Sequence, residues 1–234
     1  MKDGISVVLP AYKEAENLKK LLPELKKVLG ANGIQHEIVV VDTVELLDET
    51  QEVCAENEVM SVKRKGGNLY GDAVRTGIKA ASLVYTLFMD ADGSHNPSDI
   101  PVFYERMKQG DCDLVIGSRY VKGGNSDNNF ILKAMSHALN CTYRIVFDIK
   151  AKDVSNSFRL YKSEQLKAVL LDCANFDIVE EILIKLKSAK KGFRIAEIPV
   201  YFNKRQAGKS KRSLLKFIAS YLKTMRRLKR LKNK

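Results

Sequence analysis

The chain has 234 residues, 45% hydrophobic and 29% charged, enough for one sizeable core and too apolar for disorder along its whole length. Its net charge of +12 is unevenly placed: residues 209–234 carry eleven Lys/Arg and no Asp/Glu, leaving 29 basic against 28 acidic residues elsewhere. That asymmetry points to a tail for an anionic surface, either lipid or nucleic acid.

Ile5–Leu9 is an apolar run ending at Pro10, the pattern of a buried strand. Leu18, Leu21, Leu22, Leu25, Val28 and Leu29 follow at helical spacing. The next strand is predicted over Ile38–Val41, ending at Asp42, then a helix over Asp48–Glu58 and a strand over Val59–Val62. After the Gly66-Gly67 break, Tyr70–Ser82 reads as a helix and Val84–Met89 as a fourth strand ending at Asp90. Pro97-Ser98-Asp99 opens a helix to about Lys108, and Leu114–Ile116 is a fifth strand. Gly123–Asn129 reads as a polar loop, and Ile131–Phe147 as a helix crossing away from the sheet. Further helices are predicted over Ser163–Leu171 and Ile178–Lys190, with short strands over Phe193–Ile198 and Val200–Phe202. Strands alternating with helices imply an α/β fold with a mostly parallel sheet.

Cys54, Cys112, Cys141 and Cys173 are too scattered for a zinc knuckle or redox pair and read as reduced thiols of a cytosolic protein. The opening MKDGISVVLP enters a strand directly, without the apolar stretch of a secretory leader. Nowhere do about 18 uncharged apolar residues run together, as a membrane span requires.

Polar residues gather where the strands end: Pro10–Glu14, Asp42, Asp90–Asp92 and Gly117–Arg119. Ligands of open α/β sheets bind outside the carboxyl ends of the strands, so these four groups can converge on one site. Asp90-Ala91-Asp92 places two carboxylates just past a strand, which suits a hard divalent cation that also takes water and substrate phosphates. Asp-x-Asp-Gly is also good turn chemistry without a metal.

These segments resemble, in order, those of the family 2 inverting glycosyltransferases. VVLPAYKEAENL is similar to their opening and FMDADGSHNP to their metal-binding D-x-D segment. VIGSRYVKGG, KDVSNSFRLYK and FNKRQAGKSK resemble three later segments of the dolichyl-phosphate mannosyltransferase branch, so the resemblance spans roughly residues 5–211. It implies an A-type glycosyltransferase fold: a mostly parallel Rossmann-like sheet flanked by helices, one catalytic domain over 1–211 and a basic amphipathic helix over 212–234. It also implies Mg2+ or Mn2+ as cofactor and a GDP- or UDP-linked sugar as donor. Pro10, Tyr12 and Glu14 match the segment holding the base and ribose, Asp42 a second nucleotide contact, and Asp90, Ala91 and Asp92 the ribose and metal–diphosphate segment. Ser94 joins Asp90 and Asp92 as a metal candidate. Arg119 matches a basic residue near the phosphates and, with Asp92, is the catalytic assignment. Arg205 and Lys211 match a loop that closes over the nucleotide, and Lys133, Ser155 and Arg159 are acceptor candidates.

Each residue has a plainer reading. Tyr12 could be a packed aromatic, Glu14 a capping-box residue, Arg119 a surface ion pair, and Arg205 and Lys211 part of a solvated tail. Asp153 could merely cap or turn the chain, and His95 and His137 could be surface or structural. Two positions depart from the family pattern. Thr43 stands where a second Asp is usual, which leaves guanine or uracil open, and Ser94 stands where many polyprenyl-phosphate members have Gln.

A hydroxyl acceptor needs a general base, whereas a phosphate monoester is largely dianionic at neutral pH. Asp127, Asp153, Asp177 and Glu181 are the possible bases; none stands out, which favours a polyprenyl phosphate acceptor. Leu214, Ile218, Tyr221, Met225 and Leu228 form an apolar stripe bordered by Lys and Arg, expected to lie on an anionic membrane, against the body, or on a membrane-protein partner. The expected activity is therefore hexose transfer, of mannose or glucose, to polyprenyl phosphate by a peripheral protein at the cytosolic membrane face. A soluble or polymeric glycan is the alternative acceptor. A non-catalytic nucleic-acid binder is disfavoured because the body has no nucleic-acid module, and a sugar nucleotidyltransferase because PAYKEAENL lacks a Gly-rich triphosphate loop.

Overall fold

A computed structural model describes residues 1–127, 130–204 and 214–232, without the side chains of 130–131, 214–220 and 231–232. Strands β1 (Lys2–Pro10), β2 (His36–Asp42), β3 (Met60–Lys63), β4 (Leu83–Phe88), β5 (Leu114–Ser118), β7 (Arg159–Lys162) and β8 (Ile195–Pro199) form one sheet in the order β3-β2-β1-β4-β7-β5-β8. All neighbours are parallel except β7, which runs antiparallel to both β4 and β5. Two further strands, β6 (Asn125–Ser126) and β9 (Tyr201–Phe202), pair parallel beside it. The helices are α1 (Ala15–Ala31), α2 (Thr50–Glu56), α3 (Tyr70–Ala80), α4 (Ile100–Lys108, after a 3-10 turn at Pro97–Asp99), α5 (Phe130–Phe147), α6 (Ser163–Lys167), α7 (Ile178–Ala189) and α8 (Leu214–Lys232).

The central strands are covered on both faces, so they read as continuous apolar runs rather than alternating ones. Ile5, Val7 and Leu9 of β1 pack in one core with the leucines of α1 and with Phe103 of α4. Val8 faces the other core, with Val74 and Ile78 of α3, Tyr143 of α5 and Leu183 of α7. Gly77 shows how tightly α3 is pressed on: a Cβ there would lie 2.3 Å from Val8 Cγ1.

The chain winds outward from β1 to β2 and β3, then returns to place β4 on the other side of β1. That reversal opens a crevice at the carboxyl ends of β1, β2 and β4. Strand β7, which the sequence pattern did not reveal, enters the sheet from this rim because it is antiparallel. The loop before it, residues 153–158, therefore reaches the crevice. Helix α6 is also shorter than predicted, and residues 168–177 are almost without regular structure.

The apolar stripe of α8 is not turned outward over its described side chains. Tyr221 and Leu228 are buried, and Met225 packs against the same core. Arg227 Nη2 donates to Cys173 Sγ at 2.7 Å and to Glu181 Oε1 at 3.0 Å, and the Thr224 hydroxyl donates to Asp177. Of the three expected settings, the described part of the stripe, Tyr221, Met225 and Leu228, takes the body of the protein, and Leu222, Lys223, Arg226, Lys229 and Arg230 form the exposed face there. Leu214 and Ile218 lie outside the described side chains. No helix among the described residues is long and apolar enough to cross a membrane.

Candidate functional site

At the first rim position, Pro10 closes β1 opposite Val41, and the Ala11 N–H donates to Val41 O at 3.0 Å. Tyr12 then emerges 37% exposed, with the Arg64 guanidinium 5.8 Å from its ring centroid. Arg64 is buried and donates to the carbonyls of Ala11, Asn68 (2.6 Å) and Leu69 (3.3 Å). It thus clamps the β1 exit to the loop after β3. Glu14 sits at the start of α1, but its carboxylate caps no helix N–H; it accepts instead from Asn17 Nδ2 at 2.6 Å. Capping falls to Asp48, which accepts the Ala15 N–H at 2.9 Å. The capping-box reading of Glu14 is therefore corrected.

Asp42 ends β2 and is buried. Its Oδ1 accepts the Thr43 N–H at 2.7 Å, while Oδ2 is buried with no hydrogen-bond partner among the described residues. Burial pushes its carboxyl above the usual range. A sealed acceptor without a donor costs free energy until something donates to it, so Asp42 presents a binding atom. Thr43, in place of an acid, spends its hydroxyl on Glu45 O at 2.7 Å.

After β4, the Asp-Ala-Asp turn bends at Gly93, whose φ of 77° suits glycine. The Ser94 N–H closes the turn on Asp92 Oδ1 at 3.1 Å. Asp90 Oδ1 accepts the Ser157 hydroxyl at 3.0 Å, and the Asp90 N–H donates to Nδ1 of buried His95, also at 3.0 Å. Ala91 is buried, while its neighbours Asp90 and Asp92 are half-buried. Burial, then the charge of Asp90, holds the Asp92 carboxyl above the usual range. Burial pulls the His95 imidazole below its ordinary value. His95 is thus structural and internal rather than a surface residue.

Mutual repulsion of two half-buried carboxylates is what a divalent cation relieves. Ser94 Oγ is buried beside them, and the Ser94 hydroxyl and N–H both oppose the rise of the Asp92 carboxyl. No group of three or more His, Cys, Asp or Glu suited to a metal occurs among the described residues. Two carboxylates suit an Mg2+-type ion that completes its shell with water and substrate phosphates.

Arg119, just past β5, is not a surface ion pair. Its Nε and Nη2 donate to Asp153 Oδ2 and Oδ1 at 2.7 and 2.8 Å, and its N–H to Oδ2 at 3.0 Å. Burial opposes ionisation of both groups, but their mutual hydrogen bonds and charges prevail: the Asp153 carboxyl lies below the usual range and Arg119 above its own. Nη2 also reaches Ser155 Oγ at 3.0 Å. Lys133 Nζ donates to Asn125 Oδ1 at 3.3 Å. Arg159, an acceptor candidate, is corrected outright. It is fully buried and donates to the carbonyls of Asn156, Val179 and Val154 at 2.7, 3.1 and 2.6 Å, so no substrate reaches it.

The structure thus gathers Pro10, Tyr12, Glu14, Asp42, Asp90, Asp92, Ser94 and Arg119 along one rim of the sheet and removes Arg159. Arg205 and Lys211 lie outside the described residues. The sequence reading missed Arg64, Asn156 and Ser157. An arginine directly after an apolar strand was the only local signal for Arg64, and the asparagine and serine sit unremarked inside the KDVSNSFR segment.

The glycosyl transferase family 2 profile matches residues 6–170. The chain is 36% identical over 215 residues to a dolichol-phosphate mannosyltransferase of Pyrococcus furiosus, covering 88% of this chain and 58% of that protein. It therefore spans less than two-thirds of that relative's length. It is 29% identical over 219 residues to an undecaprenyl-phosphate mannosyltransferase of Micrococcus luteus, covering 89% of this chain and 87% of that one. The crystal structure of Mycobacterium tuberculosis glucosyl-3-phosphoglycerate synthase in complex with Mn2+, UDP and glucosyl-3-phosphoglycerate superimposes with a TM-score of 0.72. It is 17% identical, with 94% of this chain and 76% of that one covered. That likeness establishes a shared A-type fold. With the sheet order, the acidic turn at its crevice and a family match over residues 6–170, the chain belongs to glycosyl transferase family 2.

Proposed function

We propose that this protein is an inverting glycosyltransferase that moves a hexose, mannose or glucose, from a GDP- or UDP-linked donor to a polyprenyl phosphate at a membrane surface. Asp42 offers Oδ2, which has no partner among the described residues, to an N–H of the nucleobase, Tyr12 offers its ring as a stacking face, and Arg64 keeps both in register through the Ala11 carbonyl. Asp90 and Asp92, with Ser94 beside them, would hold Mg2+ or Mn2+, which when bound supplies positive charge to the departing nucleoside diphosphate. Arg119 adds a fixed guanidinium whose orientation is set by Asp153.

The observation that carries the phosphate acceptor is the fate of the four possible bases. Asp153 is consumed by Arg119. Asp127 accepts the Tyr201 hydroxyl at 2.5 Å and the Lys204 N–H at 3.0 Å. Asp177 and Glu181 lie buried beneath α8. Three of the four are thus withdrawn from solvent, Asp127 is engaged by Tyr201 and Lys204, and a phosphate monoester needs no general base. The two mannosyltransferase relatives are named for lipid-phosphate acceptors, which supports the same reading. Ser155 and Lys133 remain the proposed acceptor contacts. The exposed basic face of α8 is the proposed anchor on anionic lipid at the cytosolic face.

The test supplies labelled GDP-mannose, UDP-glucose or their exchanged pairs, with and without polyprenyl phosphate. Label entering the organic phase only with the lipid is expected. Label transferred solely to a water-soluble glycan would replace this reading with the alternative.

A further inference from the structure

We propose that His95 and Asn156 are positioning residues: their hydrogen bonds fix the backbone of the Asp-Ala-Asp turn against the end of β5 and the Arg119–Asp153 pair. The inference rests on the reading of that turn as the donor-diphosphate site. A backbone N–H only donates, so His95 Nδ1 accepts from Asp90 at 3.0 Å and the ring proton sits on Nε2. Nε2 then donates to Asn156 Oδ1 at 3.1 Å. Asn156 passes the connection on in two directions. Its Nδ2 donates to Gly117 O in β5 at 2.6 Å, and its N–H donates to Asp153 Oδ1 at 3.1 Å. Ser157, next in sequence, holds the Asp90 carboxylate itself.

Packing alone does not explain a histidine here. Its ring stacks on Phe158 with centroids 4.6 Å apart and meets Phe202 edge-on at 5.3 Å, contacts a phenylalanine would make equally well. Burying two ring nitrogens costs free energy unless both are hydrogen-bonded. The position therefore uses the histidine for its two opposed bonds. One faces the acidic turn and the other faces the loop that carries Asp153. Without them, the turn is tied to that loop through the Ser157–Asp90 hydrogen bond and through the pairing of β4 and β5 with β7. Groups that orient a metal's carboxylates in this way affect binding although they touch no ligand.

The full chain is compared with three variants by isothermal titration of GDP and UDP with Mn2+, alongside melting temperature and turnover. His95→Phe keeps the stacking and loses both bonds; nucleotide affinity should fall by about tenfold or more. His95→Asn returns an acceptor near the Nδ1 position, and affinity should recover to within about threefold of wild type while turnover stays about tenfold low, the Asn156 connection being absent. Phe158→Leu disturbs the same packing but no hydrogen bond; it should lower the melting temperature and leave affinity within about twofold. The inference is overturned if His95→Phe, or a still-folded His95→Asn, binds and turns over as wild type does. It is equally overturned if Phe158→Leu loses as much affinity as the His95 variants. A wild-type chain that binds neither diphosphate would instead bring down the donor-site reading, and the positioning role with it.

Discussion

Replacing Asp153 with asparagine isolates the charge of one buried ion pair. The Asp153 side chain is 0% exposed and that of Arg119 10%, and the carboxylate receives two guanidinium bonds and the Arg119 N–H. Asparagine keeps the volume and one acceptor oxygen, but strands the guanidinium in a site that water barely enters. Breaking a buried pair from one side costs about 3–5 kcal/mol. At about 2–4 °C per kcal/mol for a chain of this size, the melting temperature should fall by about 6–20 °C. Adding Arg119→Met removes the uncompensated charge, so the double variant should be more stable than the sum of the single losses by up to about 3 kcal/mol. Scanning calorimetry and urea titration at pH 7 read both quantities. Acid supplies a second check. The Asp153 carboxyl lies below its ordinary 3.8 when folded, because Arg119 outweighs burial. Its contribution is therefore complete above that value and is lost as pH falls through the lower folded value, so the wild type should lose stability in acid more steeply than Asp153→Asn. A double variant no better than the additive expectation would refute the claim that Arg119 and Asp153 act as one buried unit.

Asp92→Asn should weaken Mn2+-dependent nucleotide binding and abolish most turnover, about 10–100-fold or more by analogy with lost metal ligands; wild-type turnover in that variant would remove the metal role. Glu180 is fully buried, and burial raises it from 4.5 to about 8. The unfolded chain therefore releases this proton before the folded one, and stability should decline as pH rises from about 4.5 to 8. Glu180→Gln should flatten that decline in thermal melts, and an unchanged slope would contradict it. On α8, charge reversal at exposed Lys223, Arg226, Lys229 and Arg230 should weaken binding to anionic vesicles by roughly 1 kcal/mol per residue without altering the melting temperature. Leu228→Ala, at a buried position, should instead cost about 2–5 kcal/mol of stability. Equal vesicle binding by the reversed chain would remove the lipid anchor.

The order of strands and helices and the polar rim were legible in the sequence because each signal is local. An apolar run marks a strand, and the acid or proline that stops it marks the strand's open end, as at Pro10, Asp42 and Asp90. The resemblance extended that reading to roles. What stayed hidden depends on partners far along the chain. His95 and Asn156 are 61 residues apart, and Arg64 and Ala11 are 53 apart. Arg159 stood as an acceptor candidate beside the family resemblance; only the fold supplies the three carbonyls that absorb it. The stripe of α8 was equally consistent with lipid and with protein, because both present an apolar surface. Sequence by itself placed the proposed donor-site residues at the strand ends, since strand ends and charges are written locally. Tertiary structure decided which charges remain for substrate and which face of the last helix is open, because both depend on side chains that meet only when the β7 loop and α8 fold back onto the sheet.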